Sequence, residues 1–301
     1  RRLIDSVFEG FTSARVVTAG AEINLKRAGD GPPVLLLHGY PQNLVMWHKV
    51  APRLAERYTV VATDLRGYGD SSKPDGGGDH AGYGKRATAR DPVDVMARLG
   101  FARFHVVGHD RGARVGHRMA LDHRERVRSL AVLDVVPTWD IFHAIDRHVA
   151  AAYFHWFLML QPAPLAETLI GSNAEYYLRW LLARWCAAPG AITDAAFADY
   201  LRCFSDPTTL HAMCEDYRAV TVDLEHDAAD WNRKLACPVL VLWGEANPRH
   251  SGWPSLSMDI MASWRARADR VTGAALPCGH FLPEEAPEET TAALLEFLAS
   301  Q

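Results

Sequence analysis

Short runs of apolar residues recur along the chain, and segments with the spacing of amphipathic helices lie between them. Near-continuous apolar runs are typical of strands in a parallel sheet, because helices cover both faces of such a sheet. The alternation of strand and helix therefore predicts an α/β fold with a doubly wound, mostly parallel sheet. The predicted strands are PVLLLHG (33–39), YTVVATD (58–64), FHVVGHD (104–110), VRSLAVLDVV (127–136), CPVLVLWGE (237–245) and a late strand before LPCGHF (276–281). The predicted helices of this sheet are WHKVAPRLAER (47–57), RATARDPVDVMARLG (86–100), GARVGHRMALDHRE (112–125) and the closing EETTAALLEFLAS (288–300).

The alternation stops after residue 136, where the chain becomes rich in aromatic residues and helical in pattern, and it resumes at CPVLVLWGE. This break predicts an α/β core of residues 1–136 and 229–301, with a helical cap of residues 137–228 inserted between two strands. A cap of this kind lies over the carboxyl ends of the strands, where open α/β sheets bind ligands.

Composition excludes several classes of partner. The 301 residues carry a net charge of −4, and nucleic-acid binding requires a concentrated basic face, so we expect no nucleic-acid partner. No apolar run reaches the roughly 18 residues of a membrane span, so we expect no membrane partner. The five cysteines have neither a C-x-x-C pair nor the spacing of metal ligands. They indicate free thiols, no metal site and a cytoplasmic location.

Residues 105–114, HVVGHDRGAR, have the pattern G-x-D-x-G at a predicted junction between strand and helix. The pattern matches the nucleophile elbow G-x-S-x-G, with Asp110 at the position of the serine. A carboxylate attacks carbon directly and forms an ester, which suits displacement of a leaving group from saturated carbon or the opening of an epoxide. The alternative is an aspartate that only caps the following helix.

Hydrolysis of an ester on Asp110 requires a base that activates water. His280 in LPCGHF follows the late strand and fits the chain order of nucleophile, acid and histidine. Asp134 in AVLDVVP and Glu245 in LWGEANP each follow a strand and could orient this histidine. The later loop also holds Asn247, but an amide cannot stabilise an imidazolium as a carboxylate does. We favour Asp134 as the acid, with Glu245 as the alternative.

Two further features surround the elbow. The backbone N–H groups of Tyr40, in LLLHGYP, and of Arg111 are candidates for an oxyanion hole. Arg111 and Arg114 are three residues apart at a helix start, so they share a face and can hold a carboxylate between two guanidinium groups. These positive charges offset the repulsion between Asp110 and an anionic substrate.

The motifs HGYP, DLRGYGDSSKP, GHDRGAR, LDVVPT, YFHWFLMLQPAP, MCEDYRA and GHFLPEE resemble those of the α/β-hydrolase superfamily, and most closely the fluoroacetate (haloacetate) dehalogenases. The resemblance extends over essentially the whole chain. HG-x-P and GHD-x-G also occur in epoxide hydrolases and haloalkane dehalogenases, whereas GHDRGAR, the cap His-Trp pair and DYRA are more specific. Haloalkane dehalogenases usually have tryptophan directly after the nucleophile, and arginine at this position implies an anionic substrate.

The resemblance implies an α/β-hydrolase fold and hydrolysis of haloacetates to glycolate and halide through an aspartyl ester. It implies no metal or organic cofactor, a small anionic haloacid as substrate, and a homodimer. The site residues that it implies are Asp110 as nucleophile, Asp134 as acid, His280 as base, Arg111 and Arg114 at the substrate carboxylate, and His155, Trp156 and Tyr217 at the halide.

Two other functions remain open at this point. An epoxide hydrolase would need two cap tyrosines aimed at the epoxide oxygen, Tyr217 and one of Tyr153, Tyr176 and Tyr177. A non-catalytic protein with a hydrolase fold would bind a small acid without turnover.

Overall fold

An eight-stranded sheet runs through the described part of the chain, residues 7–246 and 259–301 of the computed structural model. Its strand order is β1-β2-β4-β3-β5-β6-β7-β8, and every neighbouring pair from β4 onward is parallel. The pairs β1–β2 and β2–β4 are antiparallel. The predicted fold class is therefore confirmed. The strands are β1 (Thr12–Val17), β2 (Glu22–Ala28), β3 (Pro33–Leu37), β4 (Thr59–Thr63), β5 (Phe104–His109), β6 (Val127–Leu133), β7 (Val239–Gly244) and β8 (Val271–Leu276).

All six predicted strands are present, but the antiparallel pair β1–β2 was not predicted. β1, with the sequence TSARVV, is an edge strand whose side chains are almost all exposed. β2, with the sequence EINLKRA, is only partly buried and places polar residues among apolar ones. Neither strand has the continuous apolar run that marks a strand covered on both faces.

The helices of the sheet lie close to their predicted positions, with one exception. The segment 47–57 forms a helix only over Ala51–Ala55, because Leu44–Trp47 form a separate 3₁₀ turn and Pro52 lies in the first turn of the helix. A second 3₁₀ turn spans Ala81–Tyr83. The helices around the sheet are α1 (Ala51–Ala55), α2 (Lys85–Arg98), α3 (Arg111–Asp122), α12 (Ile260–Arg265), α13 (Leu282–Glu285) and α14 (Pro287–Ala299). The helices between β6 and β7 are α4 (Thr138–His143), α5 (Arg147–Ala152), α6 (Phe154–Met159), α7 (Leu165–Gly171), α8 (Ala174–Trp185), α9 (Asp194–Phe204), α10 (Pro207–Arg218) and α11 (Val220–Ala229).

The chain between β6 and β7 consists of helices joined by loops, in the region that the sequence assigns to a cap. The division into a core of residues 1–136 and 229–301 and a cap of residues 137–228 stays a prediction. α9 packs against the 3₁₀ turn that follows β3, where Asn43 Nδ2 donates to Asp199 at 2.9 Å. This contact joins the helical region to the carboxyl end of the sheet.

The carboxyl ends of the central strands meet at one edge of the sheet, as in other parallel sheets. β3 and β5 are neighbours, β6 lies beside β5, and β7 lies beside β6. Tyr40, Asp110, Asp134 and Glu245 follow these four strands, so the topology alone brings the loops of the predicted site to one place.

Two findings concern the rest of the molecule. The five cysteines, all within the described residues, form no disulfide. Among the residues with a described structure, no helix has both the length and the apolar character needed to cross a membrane.

Candidate active site

Asp110 lies at a sharp turn between β5 and α3, with φ 48° and ψ −116°. A non-glycine residue rarely adopts such a positive φ, and residues that do are concentrated at functional sites. Gly108 and Gly112 make the turn possible: a Cβ on Gly108 would lie 2.5 Å from the Gly112 carbonyl oxygen, and one on Gly112 would lie 2.4 Å from the carbonyl oxygens of Leu37 and His38. The predicted elbow is therefore present, with its glycines where no side chain fits.

The two oxygens of the Asp110 carboxylate face different groups. Oδ1 accepts a hydrogen bond from the Tyr40 backbone N–H at 3.1 Å, and Oδ2 lies 3.7 Å from Nε2 of His280. Arg111 is the first residue of α3, so its backbone N–H is one of the helix-start donors that have no acceptor within the helix. The Tyr40 N–H thus contacts this carboxylate directly, and the Arg111 N–H is the next backbone donor along the chain from Asp110.

The His38 side chain holds the loop that carries Tyr40. Its Nδ1 donates to the Gly39 carbonyl at 3.0 Å, and its Nε2 accepts from the Leu65 backbone N–H at 3.0 Å. Burial lowers the pKa of His38 to about 4, so the ring is neutral and can accept at Nε2. The ring joins the loop after β3 to the loop after β4.

His280 is fully buried, and its Nδ1 lies 2.6 Å from Oδ2 of Asp134. Oδ1 of Asp134 accepts from the Gly244 backbone N–H at 3.0 Å, so both oxygens of this carboxylate have a partner. With Nδ1 bonded to Asp134, Nε2 is the ring nitrogen that faces Asp110. Glu245, the alternative acid, is exposed. Asn247 lies outside the described residues.

The guanidinium of Arg111 is held by Asp216. Nε donates to Oδ2 of Asp216 at 2.7 Å, and Nη2 donates to its backbone carbonyl at 2.6 Å. The planar group also stacks on Tyr217, with Cζ 4.3 Å from the ring centroid. Nη1 has no hydrogen-bond acceptor among the residues described here. One edge of the guanidinium is thus anchored, and the other can bind an anion.

Arg114 is also buried, and it is anchored differently. Its Nη1 donates to the Val136 carbonyl at 3.1 Å and to the Thr138 hydroxyl at 3.0 Å. Its Nε has no acceptor within the described residues. Burial lowers the pKa of Arg114 from its ordinary value, whereas the nearby Asp110 charge opposes this shift. Two desolvated guanidinium groups therefore lie beside the predicted nucleophile, and both can bind a carboxylate.

Asp216 is a site residue that the sequence did not reveal. Besides Arg111, its carboxylate accepts from Lys85 Nζ at 2.5 Å and from the Tyr68 hydroxyl at 2.7 Å. Burial disfavours the charge on Asp216, but Arg111 and Lys85 outweigh burial and hold its pKa below the usual range. The only sequence signal is the position of Asp216 next to Tyr217 in the MCEDYRA motif.

The aromatic residues His155, Trp156 and Tyr217 are brought together by α6 and α10. The Tyr217 ring centroid lies 5.7 Å from that of His155 and 5.4 Å from that of Trp156. Trp156 also lies above both arginines, with its ring centroid 5.1 Å from Cζ of Arg111 and 4.9 Å from Cζ of Arg114. The three rings and the two guanidinium groups thus form one continuous cluster.

The hydroxyl of Tyr217 is buried and, within the described residues, has no hydrogen-bond partner. Burial and the nearby Asp110 charge raise the pKa of Tyr217 well above its usual range, so the hydroxyl keeps its proton. A buried O–H without a partner costs free energy unless a ligand accepts from it. The arrangement therefore suits an electronegative group bound between Tyr217 and Asp110.

No group of three or more histidine, cysteine, aspartate or glutamate side chains in the described residues has an arrangement that could hold a metal ion. The chemistry that the described side chains can perform is nucleophilic attack by a carboxylate, activation of water by a histidine, and binding of an anion.

Comparison with known proteins identifies the family of the chain. Residues 32–287 match the family model of the alpha/beta hydrolase fold. The chain is 47% identical to the fluoroacetate dehalogenase of Burkholderia sp, over 97% of this chain and 95% of that one. It is 33% identical to the soluble epoxide hydrolase of Corynebacterium sp. (strain C12), over 96% and 97% of the two chains.

A solved structure from Nostoc sp PCC 7120, described as that of an α/β hydrolase, superimposes with a TM-score of 0.93. Its sequence is 55% identical, and the match covers 97% of this chain and 99% of that one. The resemblance drawn from the motifs is confirmed, and the chain belongs to the α/β-hydrolase family.

Proposed function

We propose that this protein hydrolyses haloacetates, fluoroacetate and chloroacetate among them, to glycolate and halide through an ester on Asp110. One observation carries the proposal. The buried Asp110 carboxylate has the pair of His280 and Asp134 on one side. The buried guanidinium groups of Arg111 and Arg114 lie beside it. The histidine–aspartate pair suits hydrolysis of an ester, and the guanidinium groups suit a substrate with a carboxylate. The 47% identity with a fluoroacetate dehalogenase supports the same substrate class.

In the first step, the Asp110 carboxylate attacks the α-carbon of the haloacetate. A carbon–oxygen bond forms, and the carbon–halogen bond breaks with its electron pair leaving on the halide. Nη1 of Arg111 and Nε of Arg114 hold the substrate carboxylate, which fixes the α-carbon in front of Asp110 and screens the repulsion between two anions. His155, Trp156 and the Tyr217 hydroxyl donate hydrogen bonds to the departing halide.

In the second step, Nε2 of His280 takes a proton from water, and the hydroxide attacks the acyl carbon of Asp110. Asp134 stabilises the imidazolium through its 2.6 Å contact with Nδ1. The Tyr40 and Arg111 backbone N–H groups stabilise the oxyanion of the tetrahedral intermediate. Collapse of this intermediate restores the Asp110 carboxylate and releases glycolate, so that haloacetate and water yield glycolate, halide and one proton.

Epoxide hydrolysis is the second candidate, favoured by the 33% identity with a soluble epoxide hydrolase and by the buried Tyr217 hydroxyl. It would need a second tyrosine. Tyr176 is 65% exposed, and Tyr177 stacks on Phe204, so Tyr153 is the best of the three candidates. The buried arginines count against this function, because an epoxide carries no charge that would offset their desolvation.

Halide release tests the proposal. The purified protein is given fluoroacetate, chloroacetate and a neutral epoxide in parallel, and fluoride, chloride and diol are measured. We expect halide from the haloacetates, none from Asp110→Asn, and a mass increase on the peptide bearing Asp110 in His280→Ala. Diol formation without halide would favour an epoxide hydrolase. Stabilisation by haloacetate without any product would indicate a non-catalytic binding protein.

The location and the assembly of the protein are parts of the same proposal. Five cysteines without a disulfide support a reducing compartment such as the cytoplasm. A homodimer is proposed from the family resemblance alone, and light scattering of the purified protein measures it directly.

A further inference from the structure

The carboxylate of Glu285 accepts four backbone hydrogen bonds, and none of the steps above uses it. Oε1 accepts from the Phe281 N–H at 2.8 Å, and Oε2 accepts from the Gly279 N–H at 2.9 Å. Oε2 also accepts from the Ala187 and Ala188 N–H groups at 2.7 and 3.1 Å. Gly279 and Phe281 are the neighbours of His280 on either side, and Ala187 and Ala188 follow the end of α8. One side chain therefore binds the loop of the predicted base and the chain that leaves α8.

These two segments approach each other too closely for a side chain to lie between them. A Cβ on Gly279 would lie 2.6 Å from the Ala187 nitrogen and 2.7 Å from the Trp185 carbonyl oxygen. The His280 N–H donates to that same carbonyl at 3.0 Å. The loop of His280 is thus packed directly on the C-terminus of α8, and Glu285 binds the N–H groups that face this junction.

The rest of the His280 backbone is held as well. Its carbonyl accepts from Nε2 of His109 at 2.8 Å, and its ring packs edge-on against Trp185, with ring centroids 5.6 Å apart. Asp134 fixes the rotation of the ring through Nδ1. Glu285 acts at a different point, because it fixes the backbone on both sides of His280 and hence the distance from the ring to Asp110.

We infer that Glu285 is a positioning residue for His280, which it holds at the distance from Asp110 needed for the hydrolysis of the ester. The inference rests on the proposed function and goes beyond it. Attack by Asp110 on the haloacetate does not involve His280, whereas water activation does. Loss of the Glu285 carboxylate therefore slows the second step and spares the first.

Glu285→Gln removes one acceptor with little change in shape. The amide nitrogen of glutamine cannot accept a hydrogen bond, so at least one of the four backbone N–H groups then faces a donor. Glu296→Gln is the matched control, because Glu296 is an exposed glutamate of α14. If Glu285→Gln fails to fold, Glu285→Asp replaces it, since this variant keeps the charge but shortens the side chain.

The experiment is a single turnover of chloroacetate, quenched at intervals, with the ester on the Asp110 peptide followed by mass spectrometry. In Glu285→Gln we expect the ester to form within about twofold of the wild-type rate and to hydrolyse about tenfold more slowly or worse, so that it accumulates. Glu296→Gln should match the wild type in both steps. Equal slowing of both steps would indicate a merely structural role, and two unchanged rates would remove any role; either result overturns the inference.

A second readout separates this inference from the proposed function. Failure of His280→Ala to form any ester would contradict the proposed function, whatever Glu285 does. The proton NMR signal of Nδ1–H of His280 reports its bond to Asp134 without substrate. We expect this signal to shift or broaden in Glu285→Gln and not in Glu296→Gln. An unchanged signal would contradict the positioning of His280 by Glu285.

Discussion

Nε of Arg111 lies 2.7 Å from Oδ2 of Asp216, and the pair joins the helix that begins at the elbow to the helix that carries Tyr217. A substrate carboxylate therefore meets an arginine that already has a counter-charge and a fixed orientation. Breaking a buried ion pair by removing one partner is costly, because the other charge is left uncompensated. Asp216 thus compensates the buried charge of Arg111 and binds its Nε and Nη2, while Nη1 has no acceptor among the described residues.

Asp216→Asn should weaken substrate binding more than it slows the chemical steps. The amide keeps the shape of the side chain, but it removes the charge that orients Arg111, and we expect KM for haloacetate to rise about tenfold. Asp223→Asn is the control, because Asp223 approaches Lys85 at 3.5 Å but does not contact Arg111. Both variants should have a lower Tm, and only Asp216→Asn should have a higher KM. A matching rise in KM for the two variants would show that general destabilisation, and not Arg111, is responsible.

Arg114→Lys should raise KM although the positive charge is kept. A lysine cannot donate to the Val136 carbonyl and the Thr138 hydroxyl while it also presents a second donor edge to the substrate. We expect KM to increase by about tenfold, and competitive inhibition by acetate to weaken in parallel. Arg118→Lys, on the same helix but paired with Asp122, Asp227 and Asp230, should leave KM unchanged. An unaltered KM in Arg114→Lys would contradict a carboxylate-binding role.

Tyr217→Phe should discriminate between halides. Fluoride is smaller and more strongly hydrated than chloride, so it depends more on a strong donor when it leaves water. Loss of one hydrogen bond to an anion should reduce fluoroacetate turnover by about tenfold or more, and chloroacetate turnover by less. Tyr176→Phe, at the exposed surface of α8, is the matched control with no expected effect. Equal losses on both substrates would remove Tyr217 from the halide site.

Glu284 should make the stability of the protein depend on pH. Burial raises the pKa of Glu284 to about 8, against the attraction of Lys49. Between about pH 4.5 and pH 8 the folded state holds a proton that the unfolded state has released, so the free energy of unfolding falls as pH rises. Glu284→Gln cannot titrate, so its Tm relative to the wild type should increase from pH 5 to pH 8, as measured by thermal unfolding. The difference in Tm between Glu296→Gln and the wild type should not change with pH. If the difference between Glu284→Gln and the wild type is also independent of pH, the raised pKa of Glu284 is refuted.

The parts of the site that were readable in the sequence are those set by local geometry or by chain order. The elbow around Asp110 depends on glycines two residues away on either side, and the loop of His280 follows a strand as the chain order requires. Asp216 was missed because its partner Arg111 lies 105 positions away, and Glu285 because its contact with Ala187 spans 98 positions, although its bonds to Gly279 and Phe281 are local. Contacts of this range depend on the packing of the helical region on the sheet, which no local pattern encodes.

The fold shows the same difference between features that local sequence predicts and features that it does not. Strands covered on both faces have continuous apolar runs, and each of them was predicted, whereas the half-exposed pair β1–β2 has no such run. The two arginines after the elbow were predicted to face one anion, but their anchors on Asp216, Val136 and Thr138 became visible only in three dimensions.

The covalent role of Asp110 is the central claim, and a single turnover in heavy-oxygen water tests it most directly. With enzyme in excess over haloacetate, water attacks the acyl carbon of Asp110, so the label should enter the Asp110 carboxylate while the glycolate stays unlabelled. Mass spectrometry of the Asp110 peptide and of the glycolate measures both. Label in the glycolate and none in Asp110 would mean that water displaces the halide directly, which would contradict the account.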